Sequence, residues 1–202
     1  MAFIRIIAAA LLFFSSVAPV LAQATYRFEV GGHFSSARSQ EFDEGEIGAG
    51  GRTAWRPSGL LGIEAEITYY PGDFPEARNA FSRGRWEGLF GATIGPSIGG
   101  LRVFGRIRPG FLRVQEAPSP LACIAIFPPP LACQLAAGAT LLAVDVGGGA
   151  EVSVTEATVF RLDIGDRIVR YSGPVFDTRR VVHDSAFSRH DLRISIGAGW
   201  RF

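Results

Sequence analysis

Beyond residue 22 the apolar residues of this chain recur at every second position, in segments of roughly ten residues separated by clusters of Gly, Pro, Ser and Asp. That is the period of a β-strand, whose side chains point alternately to opposite faces. The clearest segment sets Leu61, Ile63, Ala65, Ile67 and Tyr69 against Gly62, Glu64, Glu66 and Thr68. The last is as regular, with Leu192, Ile194, Ile196, Ala198, Trp200 and Phe202 opposing Arg193, Ser195, Gly197, Gly199 and Arg201. Between them, Leu101, Val103, Gly105 and Ile107 oppose Arg102, Phe104, Arg106 and Arg108. Eight such segments are counted. A transmembrane helix is excluded, because the most apolar long stretch, 121–144, carries Pro128, Pro129, Pro130 and Gln134.

With 202 residues the length suits one barrel, and 48% hydrophobic against 19% charged residues is too apolar for disorder. The 20 basic residues are all arginine and face 19 acids, so no basic field exists to gather nucleic acid. The first 22 residues read as a secretory signal peptide, with Arg5 near the start, an apolar run over 6–17 and the small-residue pattern Val20-Leu21-Ala22. Residues 23–202 are then the exported barrel domain, with 19 arginines against 19 acids. In an oxidising compartment Cys123 and Cys133 are expected to form one loop-closing disulfide.

Connections expected to be short, after the second, fourth and sixth strands, alternate with long ones at about 35–43, 71–84, 115–138 and 172–189. An outer-membrane barrel has this rhythm, with short periplasmic turns and long external loops. The charged face must point inward, since a basic residue at the bilayer midplane costs about 2–4 kcal/mol. The expected fold is therefore an all-β, eight-stranded, antiparallel up-and-down transmembrane barrel. The alternative is a soluble periplasmic barrel of the lipocalin kind, in which the polarity of the two faces is reversed. The inward set comprises Glu64, Glu66, Glu87, Arg102, Arg106, Arg108, Asp145, Arg161, Asp163 and Arg193. Mixed signs in so narrow a lumen suit a plug of paired groups, with a narrow or gated small-solute pore as the alternative.

The tail carries a more specific signal. Ser195, Gly197, Trp200 and the terminal Phe202 resemble the C-terminal recognition signal that outer-membrane barrels present to the bacterial barrel-assembly machinery. With the segments 104–111 and 163–166, the chain resembles the small eight-stranded barrel family related to the transmembrane domain of outer membrane protein A. The resemblance implies a Gram-negative outer-membrane location, contact with outer-membrane lipid and a monomer. The chain departs from the full-length archetype in having no second, peptidoglycan-binding domain after the barrel, so no wall-anchoring role is expected. Independently, rings at strand ends suit a membrane border, and Tyr26, Trp55, Tyr69, Tyr70, Trp86, Trp200 and Phe202 are expected to form such girdles.

Some small outer-membrane barrels modify lipid A, and His183-Asp184-Ser185 sets a base two residues from a hydroxyl. It lacks the asparagine that follows the similar element of lipid A deacylases, so no enzyme is expected. His33 and His190 read as hydrogen-bonding residues at strand ends rather than metal ligands. No cofactor is expected. The apolar run 124–131 between the cysteines is either a knob that binds an extracellular partner through loop 115–138 or a plug folded over the barrel mouth.

Overall fold

The computed structural model describes residues 27–74, 82–116 and 126–202. In chain order its elements are β1 (Phe28–Ser39), β2 (Glu44–Trp55), β3 (Leu61–Phe74), β4 (Ser82–Ile94), the two-residue β5 (Ser97–Ile98), β6 (Leu101–Val114), α1 (Leu131–Ala136), β7 (Ala139–Ser153), β8 (Thr158–Tyr171), β9 (Val175–Phe176), β10 (Val182–His183) and β11 (Phe187–Arg201). Eight long strands pair in the order β4, β3, β2, β1, β11, β8, β7, β6, and β6 pairs back onto β4. All these pairings are antiparallel, so the sheet is a closed barrel without an edge.

The registers fix its geometry. Stepping from Arg38 across to Leu192, Asp166, Val146, Ile107, Ala92, Ile63, Trp55 and back to β1 arrives at Phe28, ten residues from the start. Eight strands with that stagger tilt by about 40° and enclose a backbone radius of about 8 Å. That interior is wide enough for side chains and little else.

The outward face is apolar along every strand: Ile63, Phe90, Ile107, Leu162 and Ile194 are all exposed. The inward face holds the charges, and Glu64, Arg106 and Asp163 are buried. Tyr69 and Trp86 pack at 4.7 Å toward one end of the belt, while Phe28 stacks on Phe202 at 6.2 Å at the other. Trp55 and Trp200 face outward near that second end. Tyr70 departs from the girdle expectation: it is fully buried and its hydroxyl donates to Ser35 Oγ at 3.2 Å. Tyr26 lies outside the described residues.

Strand ends are where sequence and structure differ most. The expected loop at 35–43 shrinks to 40–43, because Ser35, Ala37 and Ser39 continue inward on β1 while Ser36 and Arg38 face outward. Neither face carries a large apolar residue there, so the alternation that betrays a strand lower down is erased. The tail's geometry has a local cause as well. His33 pairs with Gly197 across the closing seam, where an added Cβ on Gly197 would lie 2.6 Å from Gly32 O and 2.9 Å from His33 Cβ.

Candidate functional site

The barrel interior is filled by arginine and carboxylate side chains in three connected tiers. At the end bearing Phe28 and Phe202, Glu29 accepts from Arg52 at 2.6 Å, Arg56 at 2.8 Å and Arg201 at 3.0 Å. Glu151 there receives Arg56 at 2.7 Å and Arg201 at 3.1 Å, with Arg102 3.7 Å away.

Residues from five strands meet in the middle tier. Arg108 donates to Asp145 at 2.8 Å, to Glu66 at 2.8 Å and to Glu64 at 3.1 Å. Arg161 donates to Glu64 at 2.7 Å and to Asp163 at 2.8 Å. Arg106 pairs with Asp145 at 2.8 Å and also with Asp163, and Arg193 pairs with Glu66. Arg161 further stacks over the inward ring of Phe104 at 4.4 Å, as the flat guanidinium allows. The side chains of Arg106, Arg108 and Asp145 have 0% solvent exposure. A charge so dry is tolerable only when opposite charges and hydrogen bonds surround it.

The third tier joins Arg167 to Glu46 at 2.7 Å, Glu87 at 2.8 Å and Asp191 at 2.9 Å. Glu87 is shared with Arg193, which ties this tier to the one below. All ten residues expected in the lumen, Glu64, Glu66, Glu87, Arg102, Arg106, Arg108, Asp145, Arg161, Asp163 and Arg193, are buried there. The structure adds Glu29, Glu46, Arg52, Arg85, Glu151, Arg167 and Asp191, all within four residues of a strand end. Extending the inward parity by two residues reaches Arg85, Arg167 and Asp191, while Glu29, Glu46 and Arg52 already share the inward parity of their own segments. His33 belongs to this interior too: it is buried and its Nε2 lies 2.8 Å from Thr68 Oγ1, so it is no border residue.

Above the ionic tiers the mouth opposite Phe28 and Phe202 closes with an apolar cap. Leu131 and Leu135 of α1 and Val175 of β9 pack on the inward residues Leu112, Val114, Leu141, Ala143, Val169 and Tyr171. The helical part of the cysteine loop thus folds over the mouth, while Ile126 and Phe127 remain exposed, Phe127 by 83%. Cys123 lies outside the described residues, and Cys133, on α1, is not a free thiol. The cap is tied to the neighbouring loops. Phe176 N donates to Pro129 O at 3.0 Å, and Arg189 bridges Glu41 at 2.7 Å and Asp177 at 2.6 Å.

Asp177 organises the β9–β10 turn. It accepts from His183 Nε2 at 3.0 Å and from the amides of Val181 at 2.8 Å and Arg179 at 2.9 Å. Burial pushes its carboxyl up, but those hydrogen bonds and the Arg189 charge outweigh burial and hold it below the ordinary aspartate range. His183 is occupied by Asp177 and stacks on Phe187 at 3.9 Å, while Ser185 is exposed. Among the described residues no cluster of three or more metal-ligating side chains occurs.

A closed eight-strand cylinder, apolar outside and ionic within, is the architecture of the small outer-membrane barrels. The solved structures similar to this chain belong to that class. The N-terminal β-barrel domain of OprF from Pseudomonas aeruginosa aligns over 86% of this chain and 97% of its own, with a TM-score of 0.52 and 10% identity. Neisserial surface protein A aligns over 87% and 97%, with a TM-score of 0.54 and 12% identity. OprG from Pseudomonas aeruginosa aligns over 88% and 96%, at 0.51 and 11%. No protein-family model and no curated protein sequence matches the chain.

Proposed function

We propose that the chain is exported, cleaved after Ala22, and inserted in the outer membrane of a Gram-negative bacterium as a sealed, non-enzymatic barrel that presents its capped external face to a partner. The observation that carries this reading is the dry middle tier: a water-filled path would wet Arg106, Arg108 and Asp145, whose side chains have no solvent exposure. The apolar cap above it and the outward apolar belt support the same reading.

Within it, Ser195, Gly197, Trp200 and Phe202 serve the assembly machinery as a terminal signal, and Cys123 pairs with Cys133 to brace the external loop. The exposed Ile126, Phe127, Val181 and Val182 then supply an apolar external tip. Refolded protein in planar bilayers is expected to give no stable conductance steps; reproducible unitary steps would make it a narrow pore instead. Lipid A from cells expressing the protein is expected to keep its acylation, and a changed mass would make it an enzyme. Partner recovery through the loop is expected to fall in Cys123→Ser, and unchanged recovery would remove the loop from that role.

A further inference from the structure

We propose that the outward lip of β6, β7 and β8 is a binding site for a phosphorylated lipid headgroup of the external leaflet, held between Arg113 and Arg170; the proposal rests on the membrane reading above. With the strand tilt found here, each residue climbs the barrel axis by about 2.5 Å. On that lattice Trp86 stands about 21 Å above Trp55, close to the height of an outer-membrane apolar band. Four outward-facing basic residues, Arg38, Arg113, Arg170 and His190, fall within about 5 Å of the level of Trp86, at the border where headgroups begin.

Two of the four are already compensated. Arg38 donates to Asp43 at 2.8 Å, and His190 lies 2.6 Å from Asp166. The other two are exposed, and among the described residues neither meets a carboxylate. Arg113 donates only to the Thr140 hydroxyl, at 3.0 Å. Every described arginine inside the barrel meets a carboxylate, whereas these two stand outward, uncompensated, at one height and on one face, where an external anion can meet them.

The registers bring them together. Arg113 is opposite Thr140 on β7, and Arg170 is opposite Leu142 on the same strand. Their Cα atoms are thus about 12 Å apart, a span that two arginine side chains can close on one phosphorylated sugar. Phe111 and Leu142, paired across β6 and β7, are exposed directly below and offer an apolar bed to an acyl chain, while Trp86 flanks Arg113 on β4. Anionic headgroups gather basic side chains at this depth, and an arginine fork meets a phosphate through two parallel hydrogen bonds.

The test uses the mature chain folded into phosphatidylcholine nanodiscs doped with bisphosphorylated lipid A, or with its dephosphorylated form. Co-purifying lipid is then read by native mass spectrometry. The wild type is expected to retain the bisphosphorylated lipid, and R113Q/R170Q to lose it by about tenfold. The variant R179Q/R180Q, on the β9–β10 turn, is expected to retain it as the wild type does. Equal retention by the wild type and R113Q/R170Q would overturn the site, as would equal loss in R179Q/R180Q. Retention of the dephosphorylated lipid, or displacement by inorganic phosphate alone, would also overturn it. Failure of the wild type to enter the bilayer at all, seen as absent heat-modifiable migration, would instead refute the membrane reading beneath it.

Discussion

Arg108 illustrates what a single residue does in this lumen. Its guanidinium contacts three carboxylates from two strands, Glu64 and Glu66 on β3 and Asp145 on β7, where water does not reach. Such a group stabilises less by its own attraction than by preventing its neighbours from being stranded as unpaired buried charges. Arg108→Met is therefore expected to cost about 3–5 kcal/mol, read as a lower urea midpoint for unfolding from vesicles. At the capped end the relevant residue is Asp177, with Glu41, Arg189, His183 and Thr178 around it. Its carboxyl is depressed in the folded protein, so its contribution is complete above about pH 4 and is lost as pH falls through the depressed value. Protease cleavage within 172–186 is expected to be slow at pH 7 and to rise on acidification below pH 4 with the barrel still folded. Equal cleavage at the two pH values would remove Asp177 as the clasp.

At the scale of elements, the seam between β1 and β11 is a sensitive pairing, because a side chain at Gly197 would come within 3 Å of Gly32 O and His33 Cβ, and one at Gly31 within 3 Å of Ala198 O. Gly197→Val is expected to abolish the folded, heat-modifiable species even when purified protein is refolded in detergent without any assembly factor. Normal refolding there would confine Gly197 to a signalling role. The strands themselves were legible in sequence because one face had to be apolar and the other could not be, which imprints period two from Leu61 to Tyr69 and from Leu192 to Phe202. Legibility fades where that demand ends. Residues 35–39, Ser-Ser-Ala-Arg-Ser, carry no large apolar side chain on either face, so a strand reads as a loop. The helix α1 was hidden because six residues flanked by Pro128, Pro129 and Pro130 carry no helical period of their own. It forms where Leu131 and Leu135 meet the inward apolar ends of β6, β7 and β8. Arg167 and Asp191 escaped notice for a related reason: they sit beyond the clearest alternation, yet complete the third tier.

For the whole molecule, the polarity of a soluble barrel is exchanged: the apolar faces lie outside, and the inside supplies its own counter-ions. The three tryptophans, Trp55, Trp86 and Trp200, all face outward and lie at the two borders of the apolar belt, so the native protein carries its own depth probes. The most direct measurement is fluorescence quenching of the folded protein in vesicles whose acyl chains are brominated either near the headgroup or near the bilayer centre. Strong quenching by both, greater for bromines near the headgroup and with little quenching by aqueous iodide, is the expected result. Emission that iodide quenches and brominated lipid leaves untouched would place these faces in water and contradict the inside-out polarity of the barrel.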